Sequence, residues 1–258
     1  MDHKSSALLS VKEVSKSFDG LVAVNLLSFD VFPGEVVAVI GPNGAGKTTL
    51  FNLITGFLSP DRGYILFHGR DLTGRPPHRI AAAGMARTFQ NVQIFTNMSV
   101  LENVMMGRYL QSKTGMFSNA LRLSRARKEE KAIEEAAIAK LEVMGLAGDA
   151  RLSPDSLSYG RQKLLEIARA LALEPRLLLV DEPAGGLSTQ EIEELGQVIL
   201  NIRADGITTL LVEHRMELVM GIADRIVVLN FGSKIAEGSP RDVQNDEKVI
   251  TAYLGEEF

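Results

Sequence analysis

The sequence predicts an α/β fold: a mainly parallel sheet covered on both sides, a β lobe at its start, and an inserted helical lobe. Three observations lead there. After Pro154, strand-sized apolar runs alternate with helical patterns. At 36–40 a short apolar run ends in a glycine-rich stretch and then a helical pattern. Between residues 91 and 153 the strand signal gives way to helix alone.

Taken in order, residues 8–14 and 22–31 are rich in β-branched and apolar side chains and break at Asp19-Gly20, which reads as a hairpin or meander. Residues 36–40 form a short buried strand ending at Gly41, followed by a glycine-rich loop and a helix over 47–56. Pro60-Asp61-Arg62-Gly63 is a turn, and 64–67 another strand. From 91 to 153 helix dominates. Ile133, Ala137, Leu141 and Met144 recur at steps of three and four with Glu and Lys between them, the stripe of an amphipathic helix. The charged stretch 125–131 reads as a solvated face. Then come helix 159–173, strand 177–181, helix 190–203, strand 208–213, helix 215–222 and strand 225–230. Strands separated by helices pair in parallel. The division is one unit over 1–258, with 1–90 and 154–258 as core and β lobe and 91–153 as helical lobe.

Composition narrows the function. The 258 residues are 45% hydrophobic and 23% charged, ordinary for a globular chain. A net charge of −4 gives no argument for nucleic acid as partner. Without cysteine, disulfides, thiolate metal sites and a cysteine nucleophile are excluded. The N-terminal MDHKSSALLSVKEVSKSF lacks the apolar core of a secretory signal, and no apolar run approaches 18 residues. If the chain serves transport, other chains form the pore.

Gly41-Pro42-Asn43-Gly44-Ala45-Gly46-Lys47-Thr48-Thr49 matches the phosphate-loop pattern G-x-x-x-x-G-K-[ST], between a strand and a helix as that pattern requires. Glycines at 41, 44 and 46 let backbone N–H groups close around phosphate oxygens. The helix N-terminus points partial positive charge at the same oxygens. Lys47 is expected at the β- and γ-phosphates and the Thr48 hydroxyl at Mg²⁺. Downstream, the apolar strand 177–180 runs into Asp181-Glu182. Asp181 at the strand tip suits Mg²⁺ through water, and Glu182 suits a base that takes the proton of attacking water. The expected ligands are therefore ATP and Mg²⁺.

With these motifs on a P-loop NTPase core, the hexapeptide LSYGRQ at 157–162 is similar to the LSGGQ signature of the ABC ATPases and lies just upstream of the two-acid strand. The resemblance covers essentially the whole chain. It implies an antiparallel β lobe, the helical lobe, and head-to-tail pairing of two such subunits, each signature closing over the nucleotide on its partner's phosphate loop. Ser158 and Gly160 open a helix, whose N-terminus favours an anion. It further implies that Phe18 stacks on adenine, that Gln90 touches Mg²⁺ or the attacking water, and that His214 contacts the γ-phosphate.

The stretch GMARTFQNVQIFTNMSVLENV (84–104), the extended lobe after Gly107 and LSYGRQ resemble the ATPases of the hydrophobic amino-acid uptake family. Members of that family work as two related ATPases, two permeases and a separate solute-binding protein. The resemblance implies a peripheral subunit on the cytoplasmic face of the membrane. The large apolar groups Val92, Ile94 and Phe95 either plug the junction between lobes or stand partly exposed as the wall of a groove for a permease helix, and the resemblance supports the second. Some relatives carry urea, amides or aromatic acids. Exporter ATPases and non-transport ABC ATPases are the alternatives. Three positions depart from the family pattern: Tyr159 and Arg161 in the signature, and Ser188, where Asp or Asn is usual in the loop that couples the two ATP sites.

Overall fold

The computed structural model describes residues 6–109 and 123–254. The extended lobe expected after Gly107 falls largely on 110–122, outside the described residues.

Two sheets form the frame. The first is antiparallel: β1 (Leu9–Phe18) and β2 (Leu21–Val31) make a hairpin, and β4 (Arg62–Phe67) with β5 (Arg70–Asp71) extends it in the order β2-β1-β4-β5. The second contains β3 (Val36–Ile40), β6 (Met85–Arg87), β7 (Leu177–Asp181), β8 (Thr208–Val212), β9 (Arg225–Asn230) and β10 (Ser233–Gly238), in the order β10-β9-β3-β8-β7-β6. Every pairing in it is parallel except β10 on β9. An α/β fold with a parallel sheet and an antiparallel lobe is therefore present.

Strands β3, β7 and β8 are buried along their whole length because both faces are covered; β3 is apolar throughout, while β8 opens on Thr208-Thr209 and β7 ends on Asp181. Val36, Ala38 and Ile40 point into one cluster, Val37 and Val39 into the other. The two covers differ in kind. On one face the cluster is completed by helices α3 (Val100–Tyr109), α4 (Leu123–Val143), α5 (Tyr159–Leu171), α6 (Thr189–Ala204) and α7 (Met216–Ile222). On the other it is completed by α1 (Lys47–Ile54) and by the antiparallel sheet, through Leu9, Val11, Leu27, Phe29, Ile65 and Phe67. The stripe Ile133, Ala137, Leu141 and Met144 is buried as its spacing predicts. Arg127, Lys128, Glu130 and Lys131 are exposed.

Some elements fall outside the sequence prediction. They are β5, β6, β10, α2 (Pro77–Ala83), α8 (Pro240–Gln244) and α9 (Glu247–Leu254). Of these, β5, β6 and α8 span 2, 3 and 5 residues, too short for a periodicity to register. The helix expected from residue 91 starts only at Val100. Before it, fully buried Asn103 donates its side-chain amide to the carbonyls of Phe95 (2.9 Å) and Ser99 (3.0 Å) and accepts the Phe95 N–H at 2.9 Å. One asparagine thereby supplies the partners that helical backbone would have supplied. Ser99 and Glu102 then exchange hydrogen bonds as a reciprocal cap that starts α3.

Candidate nucleotide site

The C-terminal ends of four neighbouring parallel strands, β3, β8, β7 and β6, deliver the expected groups to one edge of the sheet, where open α/β sheets bind ligands. Strand β3 runs into the phosphate loop, β7 into Asp181 and Glu182, β8 into Glu213 and His214, and β6 into the segment that carries Gln90.

The phosphate loop is fixed by backbone contacts. Gly41 (φ 150°) and Gly46 (φ 97°) lie so close to neighbouring chain that a Cβ would come within 2.1 Å of the Leu229 carbonyl oxygen and 2.3 Å of that of Ala23. Only glycine fits either place. Gly44 (φ 77°) instead faces open space. The loop's Pro42 and Ala45 are buried, Asn43 and Thr48 are exposed, and Thr49 is half-buried. Lys47 is buried, and its ammonium donates to the carbonyls of Gly41 (2.6 Å) and Pro42 (2.8 Å), which holds it within the loop. Helix α1 begins at Lys47 with no side-chain cap and no acid in its first turn, so its positive end is left for an anion.

The acid side is held by side chains. Glu182 sits in the left-handed region (φ 44°), an uncommon conformation for a residue with a Cβ. Its N–H donates to the Val212 carbonyl at 2.9 Å, and its carbonyl accepts from Lys163 Nζ at 3.1 Å. The Gln90 amide donates to Glu182 Oε2 at 2.7 Å. His214 Nδ1 lies 3.9 Å from the same oxygen and 3.5 Å from Glu213 Oε1. Gln90, Glu182 and His214 are thus brought together.

Four further residues hold this arrangement, and sequence motifs do not single them out. Fully buried Glu213 accepts the N–H groups of Ala184 (3.1 Å), His214 (3.0 Å) and Arg215 (3.3 Å), tying the loop after Glu182 to the loop of His214. Arg87 donates to Asp181 Oδ2 at 2.7 Å and to Asn52 and Thr55 at the end of α1, with its guanidinium over the rings of Phe51, Phe57 and Phe89. Lys163 and Glu166 reach the site from α5. Burial pushes the Glu166 carboxyl up to about 7, against the pull of the Phe89 N–H and of Arg169. Burial likewise lowers the Lys163 ammonium. A buried cation bonded to Asp181, or a Lys and Glu three apart on a helix, looks in sequence like an ordinary surface charge. The nearest signal in the sequence is that Arg87 precedes Gln90 by three.

The signature lies elsewhere. Ser158 caps α5, its hydroxyl accepting the Arg161 N–H at 3.4 Å. Gly160 is pressed by Glu191, whose Oε1 would lie 2.5 Å from a Cβ there. Ser158 and Gly160 line a cavity of about 400 Å³ that includes no phosphate-loop residue. Within one chain, the structure does not bring the signature and the phosphate loop together. The departures from the family pattern have local partners. Arg161 pairs with Asp149 and donates to the Gly145 carbonyl at 3.1 Å, and the Tyr159 ring lies against Gly186 and under Lys163. Ser188 caps α6 and shares a reciprocal capping box with Glu191. Phe18, at the end of β1, is 41% exposed rather than part of the core, with Lys16 Nζ 5.6 Å from its ring. Beside Gln90, a groove of about 380 Å³ is lined by Gln93, Ile94, Phe95, Met106, Glu166 and Arg169 among others. Phe95 is 44% exposed there, whereas Ile94 packs on the core. Among the described residues no helix is long and apolar enough to cross a membrane.

Comparison with known proteins agrees with this geometry. A family profile described as ABC transporter matches residues 24–185, and one described as branched-chain amino acid ATP-binding cassette transporter matches 233–258. The chain is 45% identical over 253 residues to the high-affinity branched-chain amino acid transport ATP-binding protein LivG of Escherichia coli K12, covering 98% of this chain and 99% of that one. It is 42% identical over the same length to BraF of Pseudomonas aeruginosa, with the same coverage. Among solved structures it superposes on a nucleotide-free ATP-binding cassette from an ABC transporter (TM-score 0.83, 34% identity, 96% and 98% of the two chains). It also superposes on the ADP conformation of MJ1267, an ATP-binding cassette of an ABC transporter (TM-score 0.84, 33% identity, 97% and 100%). A profile over residues 24–185 and relatives matched along nearly their whole length lead to one conclusion: this chain belongs to the ABC transporter family.

Proposed function

We propose that the chain is the ATP-binding and ATP-hydrolysing subunit of an uptake system for branched-chain or other hydrophobic amino acids. The observation that carries the hydrolytic reading is the Gln90 amide 2.7 Å from the Glu182 carboxylate, at the sheet edge that also bears the phosphate loop. The amino-acid class rests on LivG and BraF, whose names give that role, and on the matching C-terminal profile.

In this reading the backbone of residues 41–46, the α1 N-terminus and Lys47 bind the phosphates, and Phe18 stacks on the adenine. Glu182 accepts the proton of the attacking water, Gln90 orients that water, and His214 contacts the γ-phosphate. The reaction needs little covalent help from protein groups, so positioning and charge carry it. The Thr48 hydroxyl, the Gln90 amide oxygen and the Asp181 carboxylate are all hard oxygen donors, which suits them to Mg²⁺. When bound, Mg²⁺ neutralises phosphate charge. Arg87 bonds Asp181 Oδ2 and so fixes the orientation of a carboxylate that would hold the ion.

The separation of Ser158 and Gly160 from the phosphate loop supports a head-to-tail pair, in which each signature completes the other subunit's site. The second subunit is a sister ATPase or a copy of this chain. The groove beside Gln90 receives a permease segment at the cytoplasmic face of the membrane, and a solute-binding protein acts on the far side. Glu182→Gln tests the assignment. The amide keeps shape but takes no proton, so ATP affinity should persist, turnover should stop, and ATP should hold two subunits together in size exclusion. Wild-type turnover by Glu182→Gln would sink the catalytic assignment.

A further inference from the structure

Helix α5 carries the signature residues at its N-terminus, and two turns further on it reaches the hydrolytic groups of its own chain. Lys163 and Glu166 are three residues apart, on one face of the helix, and both are buried. Lys163 Nζ donates to the backbone carbonyl of Glu182 at 3.1 Å. Glu166 Oε1 accepts the backbone N–H of Phe89, the residue before Gln90, at 3.2 Å, and the Gln93 N–H adds a weaker pull on the same carboxylate. The two contacts therefore grip the main chain on either side of the 2.7 Å bond between Gln90 and Glu182. One of the gripped residues is the strained Glu182.

We propose that Lys163 and Glu166 are positioning residues for hydrolysis, a two-point brace by which α5 sets the distance between Gln90 and Glu182. The inference rests on the reading of Glu182 as the base. The brace gives the signature helix a second role, since a displacement of Ser158 and Gly160 at one end of α5 is carried to the hydrolytic pair of the same chain.

The charges are costly where they lie, which argues against a purely structural role. Glu166 has its folded-state pKa, about 7, above the ordinary 4.5. A raised carboxyl contributes stability that is present below 4.5 and lost as the pH rises through 7. At pH 8 the carboxylate is thus retained against stability. Arg169 at 4.0 Å and Lys163, both from α5, are the cations that face it, with Arg87 lining the same groove.

The test uses the purified chain with Lys163→Met, Lys163→Arg, Glu166→Gln and the double variant Lys163→Met/Glu166→Gln. A fluorescent ATP analogue gives Kd, steady-state hydrolysis gives kcat and KM, and thermal melting at pH 8 reports the fold. Glu166→Gln should melt no lower than wild type. In both neutralised variants Kd and KM should stay within about twofold, while kcat falls about 10- to 100-fold, the usual cost of a small misplacement. Lys163→Arg should recover most of the loss. The double variant should be little worse than the poorer single, because the two contacts act as one device. Wild-type kcat in both single variants, with Glu182→Gln inactive, overturns the brace and leaves the site assignment standing. Turnover by Glu182→Gln itself overturns both. Loss of nucleotide binding in step with kcat makes Lys163 and Glu166 structural supports and also overturns the positioning role.

Discussion

The phosphate loop and the acid side of the same site are built from different materials. The loop takes its shape from main chain against main chain: Gly41 on the Leu229 carbonyl, Gly46 on the Ala23 carbonyl, and Lys47 folded onto the carbonyls of Gly41 and Pro42. The acid side takes its shape from buried charged side chains brought from β6, α5 and the end of β8, namely Arg87, Lys163, Glu166 and Glu213. The first construction is rigid, and at Gly41 and Gly46 it has no room for a side chain. The second is adjustable, because a side chain on a helix moves with the helix. On the proposed function, the element that binds ATP uses the first and the element that hydrolyses it uses the second.

Substitutions on each side should fail in different ways. Gly46→Ala attacks the main-chain side. A Cβ 2.3 Å from a backbone oxygen, at φ 97°, cannot be relieved by a rotamer change. Backbone strain near ~3 kcal/mol predicts about 100-fold weaker ATP binding in a nucleotide titration. Retained affinity would mean that the loop is softer than its contacts imply. Glu213→Gln attacks the other side. Its amide offers one acceptor to three N–H groups, and the unmet donors predict ~1–3 kcal/mol lower stability in urea. The kcat should fall about tenfold with Kd unchanged, since only the loops of Glu182 and His214 lose their tie. A change in Kd of equal size would erase the distinction between the two constructions. Phe18→Ala touches binding alone. Base stacking is worth ~1–3 kcal/mol, and a ring this exposed points to the low end, about fivefold in Kd. Unchanged affinity would remove Phe18 from the site. Phe95→Asp should be mildest for the chemistry, with basal ATPase within about twofold, because nothing at the phosphates changes and neighbouring Arg169 accommodates the new charge. Pull-down with the permease and uptake should fall sharply, as the exposed ring is replaced by a carboxylate that any apolar partner must desolvate. Normal pull-down would place the permease contact elsewhere.

The same contrast explains which features the sequence makes legible. Gly41, Gly44 and Gly46 announce themselves because main-chain geometry restricts a few adjacent positions to one residue type. The parallel sheet is legible because the runs 177–180 and 210–212 are wholly apolar and are separated by a helical pattern. Glu213 reads in sequence as the last residue of the preceding strand, and only its three N–H partners reveal that it belongs to the site. Lys163 and Glu166 sit in a helix where Lys and Glu are the commonest exposed residues, so burial alone distinguishes them. The break at 91–99 is hidden for the same reason: the asparagine that causes it lies on the next helix.

The Ala23 carbonyl ties the phosphate loop to the turn between β9 and β10. Gly46 of the phosphate loop and Gly232 of the β9–β10 turn both press on that one oxygen, Gly232 also donates its N–H to the Ala45 carbonyl at 3.1 Å, and Asn25 donates its N–H to the Gly232 carbonyl at 2.8 Å. Gly41 leans on Leu229. The walls of the loop are thus supplied from far off in the sequence, by Ala23 on one side and by residues 229–232 on the other. A chain cut after β8 would keep the whole motif and Ala23 but lose the Leu229 and Gly232 contacts. Damage at the β9–β10 turn would therefore reach the phosphate loop without touching the motif itself.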